Sequence, residues 1–409
     1  MRFLAALLML FGVWLRPVAV QAQASLSGVV QDSVTRQPLA FASVFLANTS
    51  RGTTTDAGGR FDFPNLAVGH YGVGVSYVGY RLHTEPVNVA GPLVLTLLIA
   101  PTAQQLAEVV VRPDPNREAD YQRFRELFLG RSTLARQCRI VNPDGVRVDY
   151  DPQRNVLSAV APQALEVENP VLGYHLTFYQ LEFKAEFADE TMGLTLLTQV
   201  VFRELPGSAR QLKRWAANRQ KAYQGSYQHF LRSVYANRVA EEGFRVQKLR
   251  RQPNPRRAAA DSVLRAHQTQ GRTDALPEPV LQALRQPRIL SFLYKSVLPP
   301  DSLRRADART GRVWLRFRDL LAVTYEREAP DANYRLPGPN FTYVRPRAEE
   351  SVLQLLRPEA EVESFGALAV PLAVRSEDYW GFEKVGEMLP LDYQPLPTPR
   401  PTAAAKPAR

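Results

Sequence analysis

Between residues 25 and 99 the chain passes through seven short β-prone segments, at 26–31, 43–47, 53–55, 60–63, 71–78, 87–89 and 93–98. Strands this short at this spacing specify a sandwich or barrel. The stretch Gly52-Thr-Thr-Thr-Asp56-Ala-Gly-Gly59-Arg-Phe61 fixes how two of them join. The chain must reverse between Thr55 and Arg60. Asp56 can bond its own downstream backbone there, and Gly58 or Gly59 can take a positive φ without steric cost. Pro38 and Pro64-Asn65 mark two further corners, and Pro64 is expected at a strand end because it cannot donate to a ladder. Tyr71, Val73, Val75 and Tyr77 alternate with Gly72, Gly74 and Ser76, so a period of two sends both tyrosines to the core rather than to a sugar-stacking face. His70 and His83 lie near turns and are expected at the surface. Charge over this segment is balanced, four Arg against four acids.

The order of these features carries a resemblance. Gly28-Val-Val-Gln-Asp32, Pro38-Leu-Ala-Phe-Ala-Ser-Val44, Gly52-Thr-Thr-Thr-Asp56, Gly59-Arg-Phe61, Gly69-His-Tyr71 and Ser76-Tyr-Val-Gly-Tyr80 resemble the carboxypeptidase regulatory-like domain of Bacteroidetes cell-envelope proteins. The resemblance covers residues 25–100 and implies a seven-stranded, transthyretin-like β-sandwich with no catalysis of its own. At Ala67-Val68-Gly69 this family usually has Pro before the Gly, so one turn is looser here.

Residues 1–24 read as a secretory signal peptide: Arg2 supplies the positive start, an apolar run follows to Leu15, and small residues at Ala22 and Ala24 suit cleavage. No Cys follows that run to take a lipid anchor. Cys138 is the one cysteine of the chain, so no intramolecular disulfide can form. No later apolar run approaches the ~18 residues a helical span needs, so the expectation is a mature chain without a transmembrane segment. The expected location is the periplasm or the outer membrane, or outside the cell.

Residues 101–115 read as a linker containing a β-prone run, Leu106-Ala-Glu-Val-Val-Val111. In transporters of the TonB-dependent class this domain precedes a plug and barrel, and the remaining length is too short for both. Residues 116–394 read as an α+β region. A helix starts at Asn116, carries Tyr121, Phe124, Leu127 and Phe128 on one face and stops at Gly130. Residues 146–150 and 156–160 flank a turn at Asp151-Pro-Gln-Arg-Asn155. Strand 179–187 alternates Tyr179, Leu181, Phe183, Ala185 and Phe187 inward with Gln180, Glu182, Lys184 and Glu186 outward, and Leu194, Leu196, Val200 and Phe202 form its neighbour. The period then changes. Leu212, Trp215, Ala216, Ala222 and Tyr223 fit one helix face; Tyr227, Phe230, Leu231, Val234, Tyr235 and Val239 fit a second. Together they predict an αα-hairpin lying on the sheet. Residues 244–249 return to strand. Residues 250–288, poor in bulky apolar side chains, read as a mobile insertion. Strands are expected at 289–297, 313–317, 320–325, 351–356 and 367–374, and residues 395–409 as a disordered tail. The fold class is therefore mainly β: the sandwich, then a mostly antiparallel sheet carrying the αα-hairpin.

Phe128-Leu-Gly-Arg-Ser132, Leu172-Gly-Tyr174, Asn218-Arg219, Ala222-Tyr-Gln-Gly-Ser226, His229-Phe230, Glu242-Gly-Phe244 and Tyr379-Trp-Gly-Phe-Glu-Lys384 also resemble the region that accompanies this sandwich in other Bacteroidetes proteins. That likeness implies no activity.

Familiar chemistry is missing. None of the five histidines has Glu three residues on, as a metallocarboxypeptidase zinc site requires. His83 and Glu85 stand two apart with no third ligand. There is no Gly-x-Ser-x-Gly elbow and no phosphate loop. Cys138 with His175 is better explained as a small buried thiol, and Glu182 with Glu186 as a solvated sheet face. His229 is expected to make a hydrogen bond at the sheet surface. No catalytic residue, metal site or cofactor is assigned. Charge is the anomaly: the formal net charge is +11, and residues 203–272 hold sixteen basic groups against four acids. Export and the absence of a nucleic-acid motif argue against nucleic acid as partner. Arg210, Lys213, Arg214 and Lys221 are the candidate surface for an anionic partner, set against the plainer reading of scattered solubilising arginines. The overall expectation is a non-catalytic exported envelope protein that binds or scaffolds, with an envelope protein, glycan or anionic lipid as partner. An envelope hydrolase with its site in residues 116–394 is the alternative.

Overall fold

The computed structural model describes residues 24–102, 116–188, 192–337 and 343–396. The leader up to residue 23, the run 106–111 and the tail from 397 lie outside the described residues. All seven sandwich strands form: β1 (Ala24–Asp32), β2 (Ser43–Leu46), β3 (Gly52–Thr54), β4 (Arg60–Leu66), β5 (Gly69–Ser76), β6 (His83–Val89) and β7 (Pro92–Ile99). They build two sheets, β4-β1-β7 and β3-β2-β5-β6. β1 runs parallel to β7, and the other pairs are antiparallel. Leu26, Val30, Leu46, Val73, Val75, Leu97 and Ile99 are sealed between the sheets.

The signature turn is built as its residues dictate. The Asp56 Oδ1 accepts the Gly58 and Arg60 N–H groups at 2.8 Å each, and Gly59 has φ 72°. Pro64 departs from expectation, because it lies inside β4. That strand is a sheet edge, and its register against β1 shifts between Ala24 and Leu26, opposite Leu66 and Phe63. An edge with a bulge is where a strand tolerates a residue without N–H. Tyr71 and Tyr77 are only partly buried against the core, and Tyr71 turns its ring to Phe365 of the second region, 5.3 Å between centroids.

In that region α1 (Arg117–Leu129) ends at Gly130, φ 98°. Strands β8 (Arg139–Ile140), β9 (Arg147–Asp151), β10 (Val156–Ala161), β11 (Leu165–Asn169), β12 (Tyr174–Phe187) and β13 (Met192–Glu204) follow. They form an antiparallel sheet ordered β8-β11-β12-β10-β9, with β13 on β12. Phe124 and Phe128 of α1 stack on each other and meet Phe178 and Phe183 edge-on at 5.1–5.2 Å. The alternation in β12 is not continuous. Gln180 has φ 50°, and the pairing with β13 slips between Tyr179 and Glu182. This bulge changes parity: Tyr174, Leu176 and Phe178 point inward before it, Leu181, Phe183 and Ala185 after it. Tyr179, expected inside, leaves the core and stacks on Phe45 of the sandwich, centroids 5.0 Å apart and planes 11° apart.

Helices α2 (Ala209–Tyr223) and α3 (Tyr227–Tyr235) form the expected hairpin, but α3 stops before Val239. The two helices serve different cores. Ala222 and Tyr223 join the first; Phe230, Leu231 and Val234 join a second. Leu212 is 48% exposed and Ala216 is exposed. The docked edge of α2 is instead Trp215, Asn218 and Arg219, which donate to the carbonyls of Pro170, Val171 and Leu172 at 2.7–2.8 Å.

β14 (Phe244–Pro253) runs on into residues 250–288, which hold α4 (Pro255–Thr269) and α5 (Glu278–Leu284) rather than structureless chain. Composition hid these helices because polar bonds hold them. Asn254 caps α4 at the Arg256 and Arg257 N–H groups, and Arg257 binds Asp261 and the Leu284 and Gln286 carbonyls. Next come β15 (Ile289–Val297), α6 (Pro300–Leu303), β16 (Arg304–Ala306), β17 (Val313–Leu315), β18 (Leu320–Tyr325), β19 (Leu336–Pro337), β20 (Tyr343–Val344), β21 (Glu349–Leu355), β22 (Ala360–Val362), β23 (Val374–Asp378) and α7 (Tyr379–Phe382). The second main sheet is β15-β14-β18-β21-β23, with small sheets β16-β17-β22 and β19-β20 beside it. Residues 367–374 are not the expected strand: Leu368 makes one bridge to Val362, and a 3₁₀ turn at Pro371–Ala373 breaks the ladder. Val385, Met388, Leu389 and Tyr393 then return to the first core.

Candidate functional site

Arg210, Lys213, Arg214 and Lys221 are all exposed on α2, on the side away from the edge that docks on residues 170–172. The helix is started by a reciprocal Ser208–Gln211 capping box. The four are not equivalent. Lys221 faces acids, since its charge lowers the affinity of Glu328 and Glu349 for protons. Arg210, Lys213 and Arg214 have no ion pair among the described residues.

The acids beneath Lys221 form a buried cluster that pattern reading did not find. Glu349 opens β21, Glu328 follows β18, Glu383 follows α7, and Glu387 ends a 3₁₀ turn at Val385–Glu387. Burial first, and the Glu328 charge second, push the Glu349 carboxyl up to about 8. Burial likewise pushes Glu387 up to about 8. Glu383 goes well above the ordinary carboxylate range through burial and the nearby charges of Glu387, Glu349 and Glu328. Burial also lowers the Lys384 ammonium. The Ser132 hydroxyl donates to Glu387 Oε1, while Glu387 Oε2 accepts the Lys384 N–H at 2.9 Å. Glu349 Oε2 has no hydrogen-bond partner among the described residues and lies where a Cβ on Gly225 would fall, 2.2 Å away. Gly225 has φ 76°, and its carbonyl accepts the Trp380 indole N–H at 2.8 Å. A carboxyl whose hold on its proton is raised in this way, as at Glu349 and Glu387, can donate that proton as a general acid.

Some of the segments that resembled the companion region reach this cluster, and others are tied to one another. Ser132 reaches Glu387; Arg219 donates to Leu172 and Gly173; Gly225 lies between Glu349 and Trp380. His229 is buried, not at a sheet surface. Its Nδ1 accepts the Gly225 N–H at 3.2 Å, Glu242 stands 3.5 Å from Nε2, and burial holds its pKa below the usual histidine value.

The sandwich and second region meet at a built junction. Besides the Phe45–Tyr179 stack, the Asn48 N–H donates to Val200 at 2.6 Å and its carbonyl accepts from Leu391 at 2.8 Å. The Ser50 hydroxyl donates to Asp392 at 2.6 Å. His70 Nδ1 lies 2.5 Å from Glu363 Oε1. With Glu361, these two bring three ligand atoms within 4.8 Å, the one such group among the described residues. Glu361 is already held by the Arg312 fork, so a cation would have to break that ion pair as well as the His70–Glu363 contact. The arrangement suits a latch better than a metal site.

The remaining candidates separate. Cys138 lies 3.8 Å from the Leu134 carbonyl, with its thiol pushed up to about 12 by burial; His175 pairs with Glu166 at 3.6 Å instead. Glu182 and Glu186 are exposed on β12. His83 and Glu85 are 3.6 Å apart.

Residues 26–111 match the family model of the CarboxypepD_reg-like domain. No curated protein matches the chain. Among solved structures, the group B streptococcus pilus 2b backbone protein is 15% identical over 20% of this chain and 42% of its own, TM-score 0.19. A putative carbohydrate binding protein from Bacteroides uniformis is 10% identical over 43% of this chain and 80% of its own, TM-score 0.17. A putative membrane-associated protein of unknown function from Bacteroides fragilis is 12% identical over 88% of this chain and 96% of its own, TM-score 0.16. This chain spans less than half the length of the pilus protein, and likenesses at such scores carry no argument.

Proposed function

We propose that the protein is a non-catalytic binding or scaffolding component of the cell envelope, exported by residues 1–24 to the periplasm or the outer membrane, and that an envelope protein docks on β15. The observation behind this reading is the state of that strand. β15 is the outer strand of its sheet, and Ile289, Phe292, Leu293, Tyr294 and Val297 are 42–54% exposed on its two faces. An edge of this kind offers unpaired backbone groups and apolar side chains to an added strand, and contiguous exposed apolar surface marks interaction sites. The sandwich, matched to a CarboxypepD_reg-like domain, supplies the scaffold. Arg210, Lys213 and Arg214 add positive charge that would steer an acidic partner.

A photo-crosslinking side chain at Leu293 of the full chain, used in the producing cells, tests the reading. A discrete adduct from position 293 supports it. No adduct there sinks it, whatever a control at Arg210 returns.

One observation favours a second reading, an envelope hydrolase: Glu349 and Glu387, both pushed up to about 8, hold the protonation state of a general acid. Purified chain that cleaves envelope glycans or peptides, and loses this with Glu349→Gln at unchanged melting temperature, would replace the binding reading.

A further inference from the structure

An open cavity of about 500 Å³ lies where the end of α1 meets the 3₁₀ turn Ala135–Gln137 and the loop before β19. Four guanidinium groups from three parts of the chain line it: Arg125 on α1, Arg131 and Arg136 on the loop after it, and Arg335. Glu126 is the acid in the lining, and it pairs with Arg131 at 2.7 Å. Arg125 and Arg136 are exposed, and their guanidinium groups make no hydrogen bond or ion pair among the described residues. The formal surplus of the lining is three positive charges.

The loop that carries Arg131 and Arg136 is fixed before any ligand arrives. The Arg131 carbonyl accepts the Asn333 amide at 3.0 Å. Thr133 donates through its hydroxyl to Asp331 at 2.5 Å. Ser132 is tied to Glu387 and accepts the Ala135 N–H at 3.0 Å. The floor is apolar, with Leu129 and Ala135 buried. Behind it lie Lys384, whose Cβ is 3.0 Å from a Cβ placed on Gly130, and the acids Glu383 and Glu387. Burial raises the proton affinity of both carboxyls, which weakens the negative charge they set against the arginines.

From this geometry we infer that the cavity between α1, the 135–137 turn and residues 333–335 is a binding site for a small molecule carrying two or more oxyanion groups, phosphate or carboxylate. Guanidinium forks match both groups bidentately, and the volume falls in the range of sites for one small ligand. The inference goes beyond the docking reading and is separable from it, because no residue of β15 lines the cavity.

Calorimetric titration of the full chain with inorganic pyrophosphate, with citrate and with neutral glycerol tests it, alongside phosphatidylglycerol vesicles as a lipid-borne phosphate. Pyrophosphate or citrate should bind saturably, and more weakly as salt rises. Arg125→Gln and Arg136→Gln should each weaken that binding by about tenfold or more, with melting unchanged because both side chains are exposed. The triple variant Arg210→Gln, Lys213→Gln, Arg214→Gln should leave it intact. Vesicle binding that is lost with Arg136→Gln would place the phosphate on a lipid at the same site. Absence of anion binding at low salt, or binding that both cavity variants leave unchanged, overturns the inference.

Discussion

Gly59 and Glu349 show what single residues disclose. Gly59 was legible in the sequence because turn chemistry is local: Asp56 and two glycines permit few backbone paths. The structure adds a steric reason, since a Cβ at Gly59 would lie 2.7 Å from the Val30 carbonyl oxygen. Gly59→Val is expected to cost about 1–3 kcal/mol from the backbone conformation alone, and chemical denaturation of the full chain measures it. Equal stability of variant and parent would refute the turn. Glu349, Glu383 and Glu387 were illegible, because nothing in a sequence says which glutamates tertiary packing will bury. The folded pKa values of Glu349 and Glu387 are raised to about 8, so the folded state binds more protons than the unfolded state between the ordinary glutamate value and that pH. Their contribution to stability is therefore present at low pH and lost as pH rises through about 8. His229, held below 6.5 by burial, acts in the opposite sense at lower pH, so the carboxyls are read in the window from 6.5 to 8, where their glutamine variants separate them from the lowered Lys384 ammonium. Stability should fall across it by up to about 1.4 kcal/mol per pH unit for each group. Glu349→Gln or Glu387→Gln should flatten the slope, and a slope that both leave unchanged would refute the assignment.

At the scale of elements, existence was easier to read than facing. Every sandwich strand was visible, as were α1 with its Gly130 stop and the hairpin of α2 and α3. The errors came from places where polar contacts or a bulge decide orientation. One αL residue, Gln180, reverses the parity of β12, and no alternation score can see it. Leu212 and Ala216 drew the inward face of α2 toward themselves because apolar spacing ignores the carbonyls of residues 170–173, which are free to accept Trp215, Asn218 and Arg219. The helices in residues 250–288 were missed for the same reason, since Asn254, Arg257 and Asp261 hold them rather than an apolar stripe. Side-chain truncation separates the two pictures of α2. Trp215→Ala should cost about 3–5 kcal/mol, whereas Leu212→Ala should stay within about 0.5 kcal/mol. Comparable losses at both positions would restore the stripe that spacing alone suggests.

For the whole molecule the decisive feature is the junction, because it determines whether the sandwich is an independent bead or part of one body. Composition pointed to two regions and gave no sign of how they meet. His70 read as a surface residue near a turn, which it is, but with no sign of its partner, and Tyr71 and Tyr179 read as core. In the folded chain His70 meets Glu363, Tyr71 meets Phe365 and Tyr179 meets Phe45, and residues 391–392 close over the loop at 48–50. An aromatic stack of this kind adds about 0.5–1.5 kcal/mol beyond its buried area. A double-mutant cycle on Phe45→Leu and Tyr179→Leu should return a coupling of that size. The consequence for unfolding is sharper. With the junction intact, the sandwich and the first core should melt in one calorimetric transition, since neither loses its partner without exposing the other. Cutting the stack together with His70→Ala and Ser50→Ala removes contacts that only the docked state makes, while each core keeps its own side chains. The transition should then split in two, the calorimetric enthalpy exceeding the van't Hoff value. Two transitions in the unmodified chain, or one in the cut variant, would show that the junction does not couple the two bodies.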